Sequence, residues 1–141
     1  MESRPPGVRE LSRARCFELL ASGGVGRIGL SERALPVILP VRYAVSGERL
    51  VLRTSPGVKL EAAVHRLVVA FEADRYDPRG AWGWSVLVQG VAALLTEAGE
   101  LEAARSLLGR AWPPVEGEVT RLVAIEGTFV SGRAFGSVPS R

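Results

Sequence analysis

The sequence predicts a mainly β protein, a six-stranded antiparallel barrel with short helices. Three observations carry this expectation. Six β-like runs recur along the chain with turn signals between them, most connections are too short for the crossover helices of a parallel sheet, and only brief segments have helical spacing. Closure follows from edge chemistry, since an open sheet leaves unpaired N–H and C=O groups at both ends and a closed or nearly closed barrel does not.

The elements follow in order. Pro5, Pro6 and Gly7 cannot sustain regular structure, so residues 1–10 are expected to form a flexible arm. Residues 12–22 place Ala14, Phe17, Leu19, Leu20 and Ala21 on one helical face, with Ser12 as cap and Gly23 and Gly24 as stop. Residues 25–30 (VGRIGL) alternate as a strand. Residues 35–45 (LPVILPVRYAV) read as another, placed at an edge or bulged because Pro36 and Pro40 each lack a ladder donor. Ser46, Gly47 and Glu48 form a hairpin turn into a strand over residues 49–54. After a tight turn at Ser55, Pro56 and Gly57, residues 58–64 have helical spacing, and residues 67–71 (LVVAF) return to strand. Residues 73–83 read as a loop, residues 84–95 as a long strand interrupted at Gly90, and residues 99–108 as a helix. A loop at Trp112, Pro113 and Pro114 leads to a last strand over residues 118–133, bulged at Gly127. The domain is expected over residues 11–135, with residues 136–141 as a tail.

Composition narrows the function classes. A chain of 141 residues, 47% hydrophobic and 23% charged, fits one folded domain. No run approaches the ~18 apolar residues of a membrane span and the N-terminus lacks a signal-like apolar stretch, so a cytoplasmic protein without membrane contact is expected. A single cysteine, Cys16, excludes an internal disulfide and reads as a core or helix-face residue. With a single histidine, His65, beside it in the inventory, no Cys/His zinc site can be assembled and no metal is expected. The net charge of +3 and pI near 9.7 rest on scattered arginines, which suit a solvated surface or an anionic cofactor. The cluster Arg4, Arg9, Arg13 and Arg15 lacks interleaved aromatics, so nucleic acid is not an expected partner. His65 reads as a helix-end residue, and Glu97, Glu100 and Glu102 as helix-start acids that complement the dipole.

Two segments carry candidate chemistry. RTSPGVK, residues 53–59, ends a strand in hydroxyls, turns through Pro56 and Gly57, and places the chain's only lysine, Lys59, in the first turn of a short helix. Phosphate binding calls for such donors and such a cation, and an ordinary turn with a solvated lysine is the competing reading. GAWGWSVLV, residues 80–88, sets Trp82, Trp84 and Ser85 at a strand entry, suited either to edging a planar ring or to core and subunit packing.

The order of LSRARCFELLASGGVGRIGL, PVILPVRYAVSGERLVLRTSPGVKLEAA, VVAFEADRYD, GWSVLVQGVA and VTRLVAIEGTFVSGRAF resembles the pyridoxamine 5'-phosphate oxidase-like superfamily. Within it, the likeness is to actinobacterial flavin-binding split-barrel proteins related to nitroimidazole-resistance reductases. The resemblance spans residues 11–135 and implies an FMN-binding split barrel, a homodimer with cofactor at the subunit interface. It implies an oxidoreductase passing hydride or electrons through flavin to a small organic acceptor, with NADH or NADPH as reductant. It also implies site residues. Arg53, Thr54, Ser55 and Lys59 fall at the phosphate-holding turn, Leu39, Pro40, Val41, Arg42 and Tyr43 at the stretch beside the ring, and Trp84 and Ser85 at a segment near it. Arg42 replaces an asparagine common in relatives, and Val58 a polar or basic residue. Extra arginine suits the polyanionic tail of a deazaflavin coenzyme, the alternative cofactor in a deazaflavin-dependent reductase. No nucleophile–base pair is legible, which keeps a non-catalytic flavin carrier or sensor as the alternative function.

Overall fold

The computed structural model describes residues 7–109 and 121–139. The elements are β1 (Val8–Glu10), α1 (Arg13–Ser22), β2 (Val25–Glu32), β3 (Leu35–Ser46), β4 (Arg49–Thr54), α2 (Val58–Val64), β5 (Val68–Tyr76), β6 (Gly83–Leu94), α3 (Ala98–Leu108), β7 (Arg121–Glu126) and β8 (Phe129–Phe135). Every strand pairing is antiparallel. The order β1, β8, β6, β5, β2, β3, β4, β7 closes through a second pairing of β6 with β7. β6, β5, β2, β3, β4 and β7 therefore form a closed six-stranded barrel, and β8 and β1 extend it as a flap.

One edge of β6 serves two partners. Its first half, Gly83 to Gln89, pairs with β8, and Ala92 to Leu94 pair with β7. Gly90 lies between the two ladders, and a Cβ there would sit 1.8 Å from the Glu126 carbonyl oxygen. Only glycine lets the chain leave β7 and enter β8 at this point. Gly127 completes the crossing, its N–H donating to the Glu48 carbonyl at 3.0 Å. The last strand expected over residues 118–133 is thus two strands with a break at Gly127, and residues 118–120 lie outside the described region.

Other departures have local causes. Val8–Glu10, expected in the flexible arm, forms an edge strand on β8, Val8 opposite Phe135 and Glu10 opposite Arg133. The expected loop over residues 73–83 begins only after Tyr76, because β5 follows β6 through Tyr76 opposite Gly83. The prolines of β3 sit where its ladder with β2 has a free outer edge, since β4 pairs only with Tyr43 to Ser46. The loop at Trp112, Pro113 and Pro114 lies outside the described residues.

Alternation fills the barrel. Ile28, Val41, Tyr43, Leu50, Leu52, Phe71, Val86, Val88 and Ile125 point inward and are almost fully buried. α1 plugs one end with Cys16, Phe17, Leu19 and Leu20, and Ser12 caps it by accepting from the Arg15 N–H. Arg13 ties this plug to the β7–β8 crossing, its Nε donating to Glu48 at 2.8 Å and its Nη2 to the Gly127 carbonyl. α2 adds Ala62 and Ala63 to the core. α3, capped by the Glu97 carboxylate, packs Ala104 and Leu108 over Val51, Leu122 and Ala124. No helix among the described residues is long and apolar enough to cross a membrane.

The Gly90 crossing generates a direct expectation. Gly90→Ala should destabilise the fold by at least the ~1–3 kcal/mol typical of overpacking. Gly24→Ala, where an added Cβ meets nothing within 4 Å, should stay within about 0.5 kcal/mol of wild type. Urea unfolding of the two variants checks this; equal stabilities would show that the crossing does not require glycine.

Candidate functional site

The β4–α2 turn concentrates polar groups, Arg53, Thr54, Ser55 and Lys59, within seven residues. Thr54, 3% exposed, is the one buried polar or charged residue among those described, and its Oγ1 donates to the Ser55 carbonyl at 3.0 Å. Gly57 adopts φ 156° and ψ −165°, a conformation open to glycine. No side chain caps α2. Lys59 is half-buried, and burial holds its ammonium below the usual lysine range. Every ion pair among the described residues uses arginine, so Lys59 has no carboxylate partner there. A partly desolvated, unpaired cation is unfavourable until an anion joins it. Arg53 takes a different part, donating through Nη2 to the Gly109 carbonyl where α3 ends.

A groove of about 550 Å³ is lined in part by α2 and the residues that follow it. Ala62, about one helical turn from Lys59 on α2, is one of its lining residues. The floor is the outer face of β2, β3 and β5, where Gly29 opposes both Ala70 and Ile38. Gly29 and Ala70 keep that floor flat, while Gln89, opposite Ala70, supplies an amide at its border. A flat, largely apolar floor with an amide at its border, lined in part by the helix that carries Lys59, suits a planar ring system carrying an anionic group.

The expected site residues divide into three sets. Arg53, Thr54, Ser55 and Lys59 share the β4–α2 turn. Leu39, Val41, Tyr43 and Trp84 point into the barrel. Tyr43 is 4% exposed, its hydroxyl donates to the Leu20 carbonyl at 2.7 Å, and its ring meets Phe71 edge-on at 4.8 Å. Burial holds this phenol neutral, well above its ordinary pKa. Pro40, Arg42 and Ser85 face outward, with Arg42 opposite Val25 and Ser85 opposite Asp74 and Arg133. Ser85 is four residues along β6 from Gln89, roughly 13 Å at ~3.3 Å per residue. His65 ends α2 and is exposed, and Cys16 is buried.

Sequence reasoning missed Gly29, Ala70 and Gln89, which become neighbours only through strand register. It also missed a charged cluster on the same outer face. Arg27 Nη1 lies 2.9 Å from the Glu72 carboxylate and 3.3 Å from that of Asp74. Burial and the adjacent Asp74 push the Glu72 carboxyl up to about 7, against the opposing effect of Arg27. Glu72 borders a second concavity, of about 570 Å³, with Ser85, Leu87, Ser131 and Arg133.

Comparison with known proteins agrees with this architecture. The sequence profile described as Pyridoxamine 5'-phosphate oxidase matches residues 12–134. The uncharacterized protein Rv0080 of Mycobacterium tuberculosis is 38% identical over 130 residues, 89% of this chain and 84% of that protein. The FAD binding protein of Mycobacterium smegmatis superposes with a TM-score of 0.70 at 30% identity, over 91% of this chain and 98% of that one. A FAD-binding protein of Mesorhizobium loti gives 0.79 at 26% identity, over 92% and 98%. Barrel, strand register and a match from the first helix to the last strand converge: the chain belongs to the pyridoxamine 5'-phosphate oxidase family.

Proposed function

We propose that the protein binds a phosphorylated flavin, with its phosphate at Lys59 and its ring along the groove over Gly29 and Ala70. The observation that carries this reading is the half-buried Lys59 ammonium, without a carboxylate partner among the described residues, on the same short helix as Ala62, which lines the flat groove. Ser55 and the uncapped start of α2 add donors beside it, while Thr54 braces the turn through its bond to the Ser55 carbonyl. Arg53 supports the turn by fastening it to the end of α3. Gln89 offers its amide to the polar edge of the ring, and Ile38 and Val68 exclude water along its flank. FMN and FAD both satisfy this chemistry, and the likeness to two FAD-binding proteins favours a site able to take the larger nucleotide.

The protein acts, in this reading, as an oxidoreductase on a small organic acceptor, with NADH or NADPH as reductant. Bound flavin would supply the hydride or electron transfer. The chain's residues bind, orient and desolvate it. The working unit is a homodimer whose uncovered outer faces meet. That assembly is supported by Ile38, Val68, Tyr76 and Phe129, each at least 70% exposed on this one face. A carrier or sensor without turnover is the second reading, supported by the absence of a nucleophile–base pair among the hydrogen bonds of the described residues. Anaerobic mixing of flavin-loaded protein with NADH or NADPH separates them, since bleaching of the flavin band followed by reoxidation with an acceptor marks the enzyme.

Titration with FMN, FAD, a deazaflavin coenzyme and riboflavin tests the phosphate assignment. Lys59→Ala should weaken the phosphorylated ligands by about 10- to 150-fold, the effect of losing one charge-assisted hydrogen bond of ~1.5–3 kcal/mol. Riboflavin, which has no phosphate, should be unaffected. Equal losses for riboflavin and FMN would remove the phosphate from Lys59.

A stability measurement tests the same cation without ligand. Its depressed pKa means that the charged form disfavours the fold, a cost present below the folded-state pKa and relieved above the unfolded value of 10.5. Lys59→Met apoprotein should therefore unfold at neutral pH at no lower a temperature than wild type. A drop of more than about 2–4 °C, the equivalent of ~1 kcal/mol, would show that the ammonium is held by a partner within the chain.

A further inference from the structure

The uncovered outer face is not uniformly apolar. Its strands run in the order β3, β2, β5, β6, β8, β1, so β5 lies near the middle, and the Arg27, Glu72 and Asp74 cluster sits on β2 and β5. Glu72 and Asp74 project side by side on one face of β5 and share a single guanidinium. The groups facing them from neighbouring strands are few. β6 presents Leu87 opposite Glu72 and Ser85 opposite Asp74, neither of them charged. Beyond Ser85, β8 presents Arg133, and beyond that β1 presents Glu10, an opposite-charge pair of positions. On the other side β3 presents Pro40 opposite Arg27, with Arg42 the next outward residue.

Both carboxylates ionised leave the cluster one negative charge in excess, whereas a single proton makes it neutral. A two-fold contact centred on this sheet brings the middle strand of one copy toward that of the other, so any excess charge there meets its own copy. The face has what a second copy needs: large exposed apolar side chains at both ends and charges of both signs between them. Covering the cluster removes it from water, which a neutral group tolerates far better than a charged one.

We propose that the Glu72–Asp74 pair, bridged by Arg27, is a proton-operated latch on self-association, closing the outer faces together when one carboxyl is protonated and loosening them when both are ionised. This inference rests on the homodimer of the preceding section and assigns its regulation. Burial and the neighbouring Asp74 push the Glu72 carboxyl up to about 7, so the proton that closes the latch is taken up by Glu72.

Sedimentation velocity of the full chain between pH 5.5 and 8.5 tests the latch, with Glu72→Gln and Asp74→Asn as near-isosteric variants whose folding is checked by circular dichroism. The dimer dissociation constant of wild type should rise on the order of tenfold or more from pH 6 to pH 8, as linkage requires when association takes up protons. Glu72→Gln should associate at pH 8 about as tightly as wild type does at pH 6 and lose most of the pH dependence; Asp74→Asn should do likewise. A dimer whose affinity is flat across this range, or whose pH dependence survives in both variants, overturns the latch and leaves the dimer standing. A monomer at every pH overturns both.

Discussion

The single edge of β6, shared between β7 and β8, is the constraint on which the remaining architecture depends. The Glu126 carbonyl oxygen occupies the space a side chain at Gly90 would need, so the barrel closes through Ala92 to Leu94 while Gly83 to Gln89 remain free for β8. The division has two consequences. β7 reaches β4 and completes the ring, and β8 with β1 broadens the sheet beyond it. Arg13 then holds the α1 plug against the same crossing through Glu48 and the Gly127 carbonyl.

The broadened sheet explains why one outer face stays uncovered. α3 packs over the outside of β4, β7 and the end of β3 at Ala44, and α1 and α2 contribute to the interior. Ile38, Val68, Tyr76 and Phe129, outward on β3, β5 and β8, each remain at least 70% exposed. Gly29 and Ala70 keep part of that surface flat, and Lys59, on the helix that supplies Ala62 to the groove, carries a charge that no carboxylate among the described residues pairs. A protein seldom retains an unpaired, partly desolvated cation without use, because removing it would favour the fold. Fold and site are thus linked: the split that closes the barrel also leaves the surface against which a ligand and a second copy can lie.

Much of this was legible in the sequence wherever the information was local. The turn at residues 55–57 and the lysine after it form one contiguous signal, and α1, its Ser12 cap and α2 appear with the bounds that spacing and caps indicated. Pro36 and Pro40 announced a strand with a free edge, and β3 has one over that half. Gly90 announced an interruption, though its reason, a carbonyl from β7, is visible only in three dimensions. The short strand Val8–Glu10 was hidden because three residues after a Pro-Pro-Gly run carry no periodicity. Resemblance named Tyr43 and Trp84 together with Arg42 and Ser85, but the pleat sends the first pair inward and the second outward. Gly29, Ala70 and Gln89 come from three strands, as do the neighbours of Glu72, and no linear pattern records such register.

The central claim is that the Lys59 turn and the outer sheet face form one binding surface. Hydrogen–deuterium exchange with and without saturating FMN or FAD examines it most directly. The account predicts slowed exchange in the backbone of residues 55–60 and in the outer strands around Gly29, Ala70 and Gln89, with the β4–β7 side unchanged. No protection at the Lys59 turn, or none in the outer strands around Gly29, Ala70 and Gln89, would contradict it.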